Sequence, residues 1–294
     1  MKPGRTAASR RPLAGALLAA GLCLGLCAGA VQAAVVLDPL YAGRFAPGQG
    51  ADATFLQIDG AWHGSTVLWN DVTHTYGSGL PIGSYSWGSG LWGRADWAAT
   101  QASFAGAGGP PIVQSWSGVV ATINYGNTIY NTDYSSTWGA ANLLPFFSAD
   151  TPRSDQENWT TAFSGYIRVT DPGIYNFSVL NDDGFFFRLT GAGDSSLEIG
   201  RDYLNPRERD GFAEDLMLSE GLYAFELGQW NRLEAGVVDL RWRFGDGQAW
   251  TLVPVTNLVG AAEVPVPGTP ALLIAAASAA VIAGRRRARG SATA

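Results

Sequence analysis

Side chains able to do covalent or metal chemistry are scarce and unevenly placed. Both cysteines of the 294-residue chain, Cys23 and Cys27, sit in an apolar N-terminal run, and Lys2 is its sole lysine. Beyond that run there is no thiol nucleophile and no amine for a Schiff base. The two histidines are His63 and His74. Asp71 stands three residues before His74, a suggestive spacing, but no third ligand lies near enough in sequence to complete a zinc site. Acidic residues abound, yet no pair stands out as a glycosidase acid and base. No glycine-rich phosphate loop precedes a helix. These absences read as a non-enzyme. The remaining feature is Asn181-Asp182-Asp183-Gly184, two adjacent carboxylates in a sequence whose Asp-Gly pair favours a tight hairpin turn.

The ends of the chain skew its charge. Four of its 19 basic residues lie before residue 34 and four after residue 284, whereas all 25 acidic residues lie between. The central body keeps 11 arginines and is near −14. Such a surface repels nucleic acid and anionic lipid, while it suits divalent cations or neutral sugars. Without a disulfide, stability must come from a hydrophobic core of ordinary size.

The body that must position these carboxylates is rich in Gly, Trp, Tyr and Phe and alternates with period two between closely spaced turn signals, which predicts an all-β antiparallel sandwich or barrel. Trp92–Phe104 is alanine-rich and predicts one or two helical turns. Strands are expected at Phe163–Thr170, Ile174–Leu180, Phe185–Leu189, Phe212–Leu218, Leu222–Trp230, Val237–Phe244 and Trp250–Pro254. Within Val237–Phe244, Val238, Leu240, Trp242 and Phe244 share one face, with Asp239, Arg241 and Arg243 on the other, so the register is strongly specified. Val119–Tyr125 and Thr128–Tyr130 read as a hairpin around Gly126-Asn127. The stretch 35–89 is less legible, with strand-like pieces at Thr54–Ile58 and Thr66–Trp69, and reads as an extra sheet layer or a loose arm.

From about Gly90 to Pro254 the landmarks Phe163-Ser164-Gly165-Tyr166-Ile167, Gly173-Ile174-Tyr175-Asn176-Phe177, Asn181-Asp182-Asp183-Gly184, Gly221-Leu222-Tyr223 and Leu240-Arg241-Trp242 occur in an order that resembles the protective-antigen-type β-domain of bacterial toxins, glycosidases and adhesins. The segment after the turn departs from that pattern, with Phe185-Phe186-Phe187 and Leu197-Glu198-Ile199-Gly200. In lectin members of the family, paired aspartates bind calcium through a cis peptide and the ion grips sugar hydroxyls. The resemblance implies this role for Asp182 and Asp183. Hard carboxylate oxygens suit Ca²⁺, which takes six to eight oxygen ligands, so a second loop must contribute. Asn231 lies on a candidate loop, and Trp230 is a candidate to stack on a sugar. The turn-only reading needs no further ligand, and both remain open.

Both ends read as addresses. Lys2, Arg5, Arg10 and Arg11 precede an apolar segment, Leu13–Ala30, and small residues at Val31-Gln32-Ala33, the pattern of a signal peptide over 1–33 cut by signal peptidase. At the other end, Val264-Pro265-Val266-Pro267 leads into an apolar run, Ala271–Ala283, and an arginine cluster at Arg285-Arg286-Arg287. Its 13 residues make about 20 Å of helix, short of the roughly 30 Å hydrocarbon core. This tail is similar to a PEP-CTERM sorting signal, a tag of Gram-negative envelope proteins processed by an exosortase, with Val266 in place of the family's glutamate. The resulting plan is a signal peptide (1–33), a Gly/Trp-rich arm or layer (34–89), the β-domain (90–256), a linker (257–263) and a sorting or anchor segment with a short hydrophobic helix (264–290). It implies an exported cell-envelope or extracellular protein whose tail lies at first in the inner membrane as a transient or permanent anchor. The functions that follow are a carbohydrate-binding or adhesin-like module linked to exopolysaccharide or, alternatively, a structural component of a biofilm or floc matrix without a discrete ligand. A hydrolase has no nominated carboxylate pair.

Overall fold

A computed structural model of the protein describes residues 34–62, 89–245 and 247–264 in full, and 69–70, 75–76 and 85–86 by their backbone. The principal elements along the chain are strands β1 (Val35–Leu37) and β2 (Ala51–Ile58), helix α1 (Arg94–Phe104), strands β3 (Ile112–Val120) and β4 (Asn124–Gly126), helix α2 (Thr128–Asp133), and strands β5 (Trp159–Val169), β6 (Gly173–Asp182), β7 (Gly184–Thr190), β8 (Ser196–Arg201), β9 (Glu208–Gly211), β10 (Leu216–Leu218), β11 (Gly221–Asn231) and β12 (Val237–Phe244). They form two sheets. The first runs β1-β10-β6-β12-β4, with β9 also on β6; the second runs β8-β7-β11-β5-β2-β3. Pairing is mostly antiparallel, with β1 on β10 an exception. The all-β sandwich expected from the sequence is the architecture found.

The period-two pattern explains why the sheets close on each other. Tyr175, Phe177 and Val179 of β6 and Val238 and Leu240 of β12 point into the same core as Phe163 and Ile167 of β5, Phe187 and Leu189 of β7, and Tyr223, Phe225 and Leu227 of β11. Phe177 and Phe187 meet across the sheets with centroids 5.7 Å apart. The opposite face of the second sheet is also covered: Trp97 of α1 packs edge-on against Phe186 at 4.8 Å, and its indole N–H donates to the Thr161 carbonyl at 2.9 Å. Buried on both faces, β11 loses the alternation in burial that a half-exposed strand would show.

Several expectations need correction. The 35–89 stretch is neither a separate layer nor a loose arm throughout, since β2 lies within the second sheet, paired with both β5 and β3. Its apolar positions looked ambiguous because both neighbours come from far along the chain. Gly126-Asn127 is not a hairpin turn. The Asn127 side chain instead accepts from the Tyr130 N–H at 2.9 Å, capping α2, because a short side-chain oxygen satisfies a helix N-terminal donor as readily as it serves a turn. The 257–263 segment is not a free linker, as Leu258–Val259 pairs with β5. Asp239 lies on the face opposite Val238 and Leu240, as expected, yet it is buried there between Arg209 and Arg241, at 3.0 Å from each. Phe244, expected inward, is exposed. The Phe212–Leu218 strand shortens to β10.

His63, Asp71, His74 and the two terminal addresses lie outside the fully described residues. Among the described residues no helix is long and apolar enough to cross a membrane.

Candidate functional site

Asn181-Asp182-Asp183-Gly184 is not a hairpin turn. The strand entering it, β6, belongs to the first sheet and pairs with β9, β10 and β12. The strand leaving it, β7, belongs to the second and pairs with β8 and β11. The two aspartates therefore form a corner where the chain passes between sheets at one end of the sandwich. The Asp182–Asp183 peptide bond is cis. Gly184 is required by close approach, since a Cβ there would lie 2.4 Å from the Trp230 ring and 2.6 Å from the Tyr203 carbonyl oxygen.

Each carboxylate is held through one oxygen. Oδ2 of Asp182 accepts from Arg207 Nη2 at 2.6 Å, and Oδ2 of Asp183 accepts from the Arg232 backbone N–H at 2.8 Å. The backbone is pinned as well. The Asp182 carbonyl accepts from Gln229 Nε2 at 2.7 Å, and the Asp183 N–H donates to the Trp230 carbonyl at 3.1 Å. Asp182 is 8% exposed. Burial pushes its carboxyl up to about 7, against the pull of Arg207. Burial, reinforced by the neighbouring Asp182 charge, pushes Asp183 up to about 8. A pair this destabilised as anions gains strongly from a cation.

Two carboxylates supply only part of a calcium shell, and among the described residues no group of three or more His, Cys, Asp or Glu is placed to hold a metal. Any further ligands must be neutral oxygens. Asn231 is fully buried on the core-facing parity of β11, next to the Arg232 N–H that binds Asp183. Set by its neighbours, its amide donates from Nδ2 to the Ala235 carbonyl and accepts at Oδ1 from the Trp159 indole N–H, both at 3.3 Å. Gly236 permits this packing, as a Cβ there would lie 2.5 Å from the Asn231 amide. Asp182 and Asp183 supply hard oxygen donors of the kind a divalent cation takes.

The structure sets Asp182 and Asp183 side by side, places Asn231 one residue before the Arg232 N–H that binds Asp183, and takes Trp230 out of the ligand site. Trp230 is 0% exposed, packs with Ile58, Leu91 and Phe186, and donates its indole N–H to the Tyr203 carbonyl at 3.0 Å. With neither ring face open it cannot stack on a sugar. Sequence reasoning missed Arg207, which lies over the Tyr134 ring at 3.5 Å, and Tyr203, which borders Gly184. Tyr134 and Tyr203 are each 36% exposed and offer the aromatic surface that Trp230 does not. Nothing in the Tyr203–Arg207 loop sequence distinguishes it from any other connection.

The protein is similar in fold to solved PA14 domains. The PA14 domain of the MpAFP antifreeze protein matches with 15% identity, a TM-score of 0.43, and 78% of this chain and 98% of that one covered. The PA14 sugar-binding domain from an RTX adhesin matches with 15% identity and a TM-score of 0.40, covering 72% of this chain and 99% of that one. The Epithelial Adhesin 6 A domain from Candida glabrata, in complex with Galβ1-3GlcNAc, matches with 13% identity and a TM-score of 0.40, covering 78% and 93%. No protein-family model matches the sequence, and no curated protein matches it.

Proposed function

We propose that the protein is an exported carbohydrate-binding, adhesin-like β-domain that holds Ca²⁺ through Asp182, Asp183 and Asn231, and that it is not an enzyme. The observation that carries this reading is the corner itself: two adjoining carboxylates, buried and held at raised pKa, beside the loop that follows β11. Bound there, Ca²⁺ would supply coordination positions for sugar hydroxyls. Asp182 and Asp183 provide the charge, Gln229 and Arg232 hold them in place, and Tyr134 and Tyr203 give apolar surface for the faces of a sugar ring. The sequence features at 1–33 and 264–290 support export and a PEP-CTERM-type route through signal peptidase and exosortase to the envelope or the outside of a Gram-negative cell, where exopolysaccharide is the available partner. A glycan array probed with and without chelator tests the function. Binding that chelator abolishes, and that Asp182→Asn lacks, supports it; retention of no glycan in either condition rejects it.

A further inference from the structure

Arg207 adds a charge to the site that calcium binding alone does not require. Its Nη2 lies 2.6 Å from Asp182 Oδ2, with the two side chains 12% and 11% exposed. Tyr134 holds the guanidinium from one face at 3.5 Å, and the Tyr130 ring centroid lies 5.5 Å away. Of the five guanidinium N–H donors, the Nε–H is buried without a hydrogen-bond partner. Arg207 is therefore held at the carboxylate pair by ring packing and one strong contact, with donor capacity unspent.

Resting on the calcium reading above, we propose that Arg207 is a specificity-determining residue that selects acidic sugars, the uronates, over neutral ones. Two carboxylates and one divalent cation cancel in charge, so with Arg207 beside them the loaded site carries a net +1. When Asp182 serves the cation, Arg207 loses part of its own anion, and a glycan carboxylate replaces it. The planar fork of arginine matches a carboxylate bidentately, and Tyr134, itself 36% exposed, holds that fork against one face. The body as a whole is near −14 and repels a polyuronate, so attraction must come from this local charge.

The test is calorimetric titration of the purified protein, in calcium, with trisaccharides of galacturonate, glucuronate and mannuronate, each against its neutral methyl ester. At least one uronate should bind about tenfold or more tighter than its ester. Arg207→Gln should remove that preference while still binding the ester, and its calcium affinity, titrated separately, should not fall. Equal binding of every acid and ester by the wild-type protein overturns the proposal without any variant. So does an acid preference that survives in Arg207→Gln. Binding of neutral sugars alone refutes the uronate selection but spares the calcium lectin. Absence of binding to any sugar or to calcium refutes both.

Discussion

Asp182 and Asp183 make a pH prediction with a definite sign. Both carboxyls titrate higher in the folded protein than the ordinary value of 3.8, at about 7 and about 8. A folded-state pKa raised above the unfolded one means that the folded state retains protons that the unfolded chain has released. The pair's stabilising effect is thus complete below about pH 4 and disappears as pH rises through 7 to 8. Calcium-free protein should lose thermal stability across that window, and saturating Ca²⁺ should restore it most at the alkaline end. Melting curves at several pH values, with and without the ion, check this. The Asp182→Asn/Asp183→Asn double variant should show neither the slope nor the calcium effect. Trp230 belongs to the core at the same scale. Trp230→Ala should cost about 3–5 kcal/mol in denaturant unfolding, which separates a packing role from a ligand role.

At the scale of elements, the corner depends on two strands that start beside each other in sequence and end in opposite sheets. Gly184 permits it, and Gly184→Ala would force a methyl into the Trp230 ring and the Tyr203 carbonyl. The expected outcome is a destabilised fold and weakened calcium binding together, read by melting temperature and titration. β12 makes a second test. Asp239 is buried with Arg209 and Arg241 at 3.0 Å, and its removal leaves two guanidinium groups, 20% and 28% exposed, without their shared carboxylate. Asp239→Ala should cost about 3–5 kcal/mol, whereas an exposed pair such as Arg44–Glu220 should cost under about 1 kcal/mol. Much of this was legible beforehand. The β12 bounds, the β6 and β11 inward sets and the Asp-Asp corner follow from period-two alternation and turn residues. The corner's nature was not, because a hairpin and a sheet-to-sheet crossing have the same local sequence and differ only in which distant strands pair. Asn127 reads as a turn residue for a related reason, since the residues that favour turns also cap helices. Arg207 stayed hidden because its partner lies 25 residues away and only the fold joins them.

Among the described residues, early and late segments share the two sheets of one sandwich. β1 pairs with β10, and β2 is flanked by β3 and β5. A chain beginning at residue 90 lacks both and exposes one edge of β5 over Trp159–Ser164. Such a truncation should fail to give a cooperative unfolding transition, whereas a protein beginning at residue 34 should unfold in a single step; circular dichroism melts tell the two apart. The sequence boundary at 90 marks the extent of the family resemblance, whereas the pairing of β1 and β2 draws earlier residues into the same sheets.

The most direct measurement of the central claim is a calcium titration of residues 34–264 by calorimetry, with Asp182→Asn, Asp183→Asn and Asn231→Ala alongside. The expected result is one ion per chain, with each aspartate substitution weakening it by about tenfold or more and Asn231→Ala weakening it as well. No heat of binding in the intact protein, or an affinity unchanged in both aspartate variants, would contradict it.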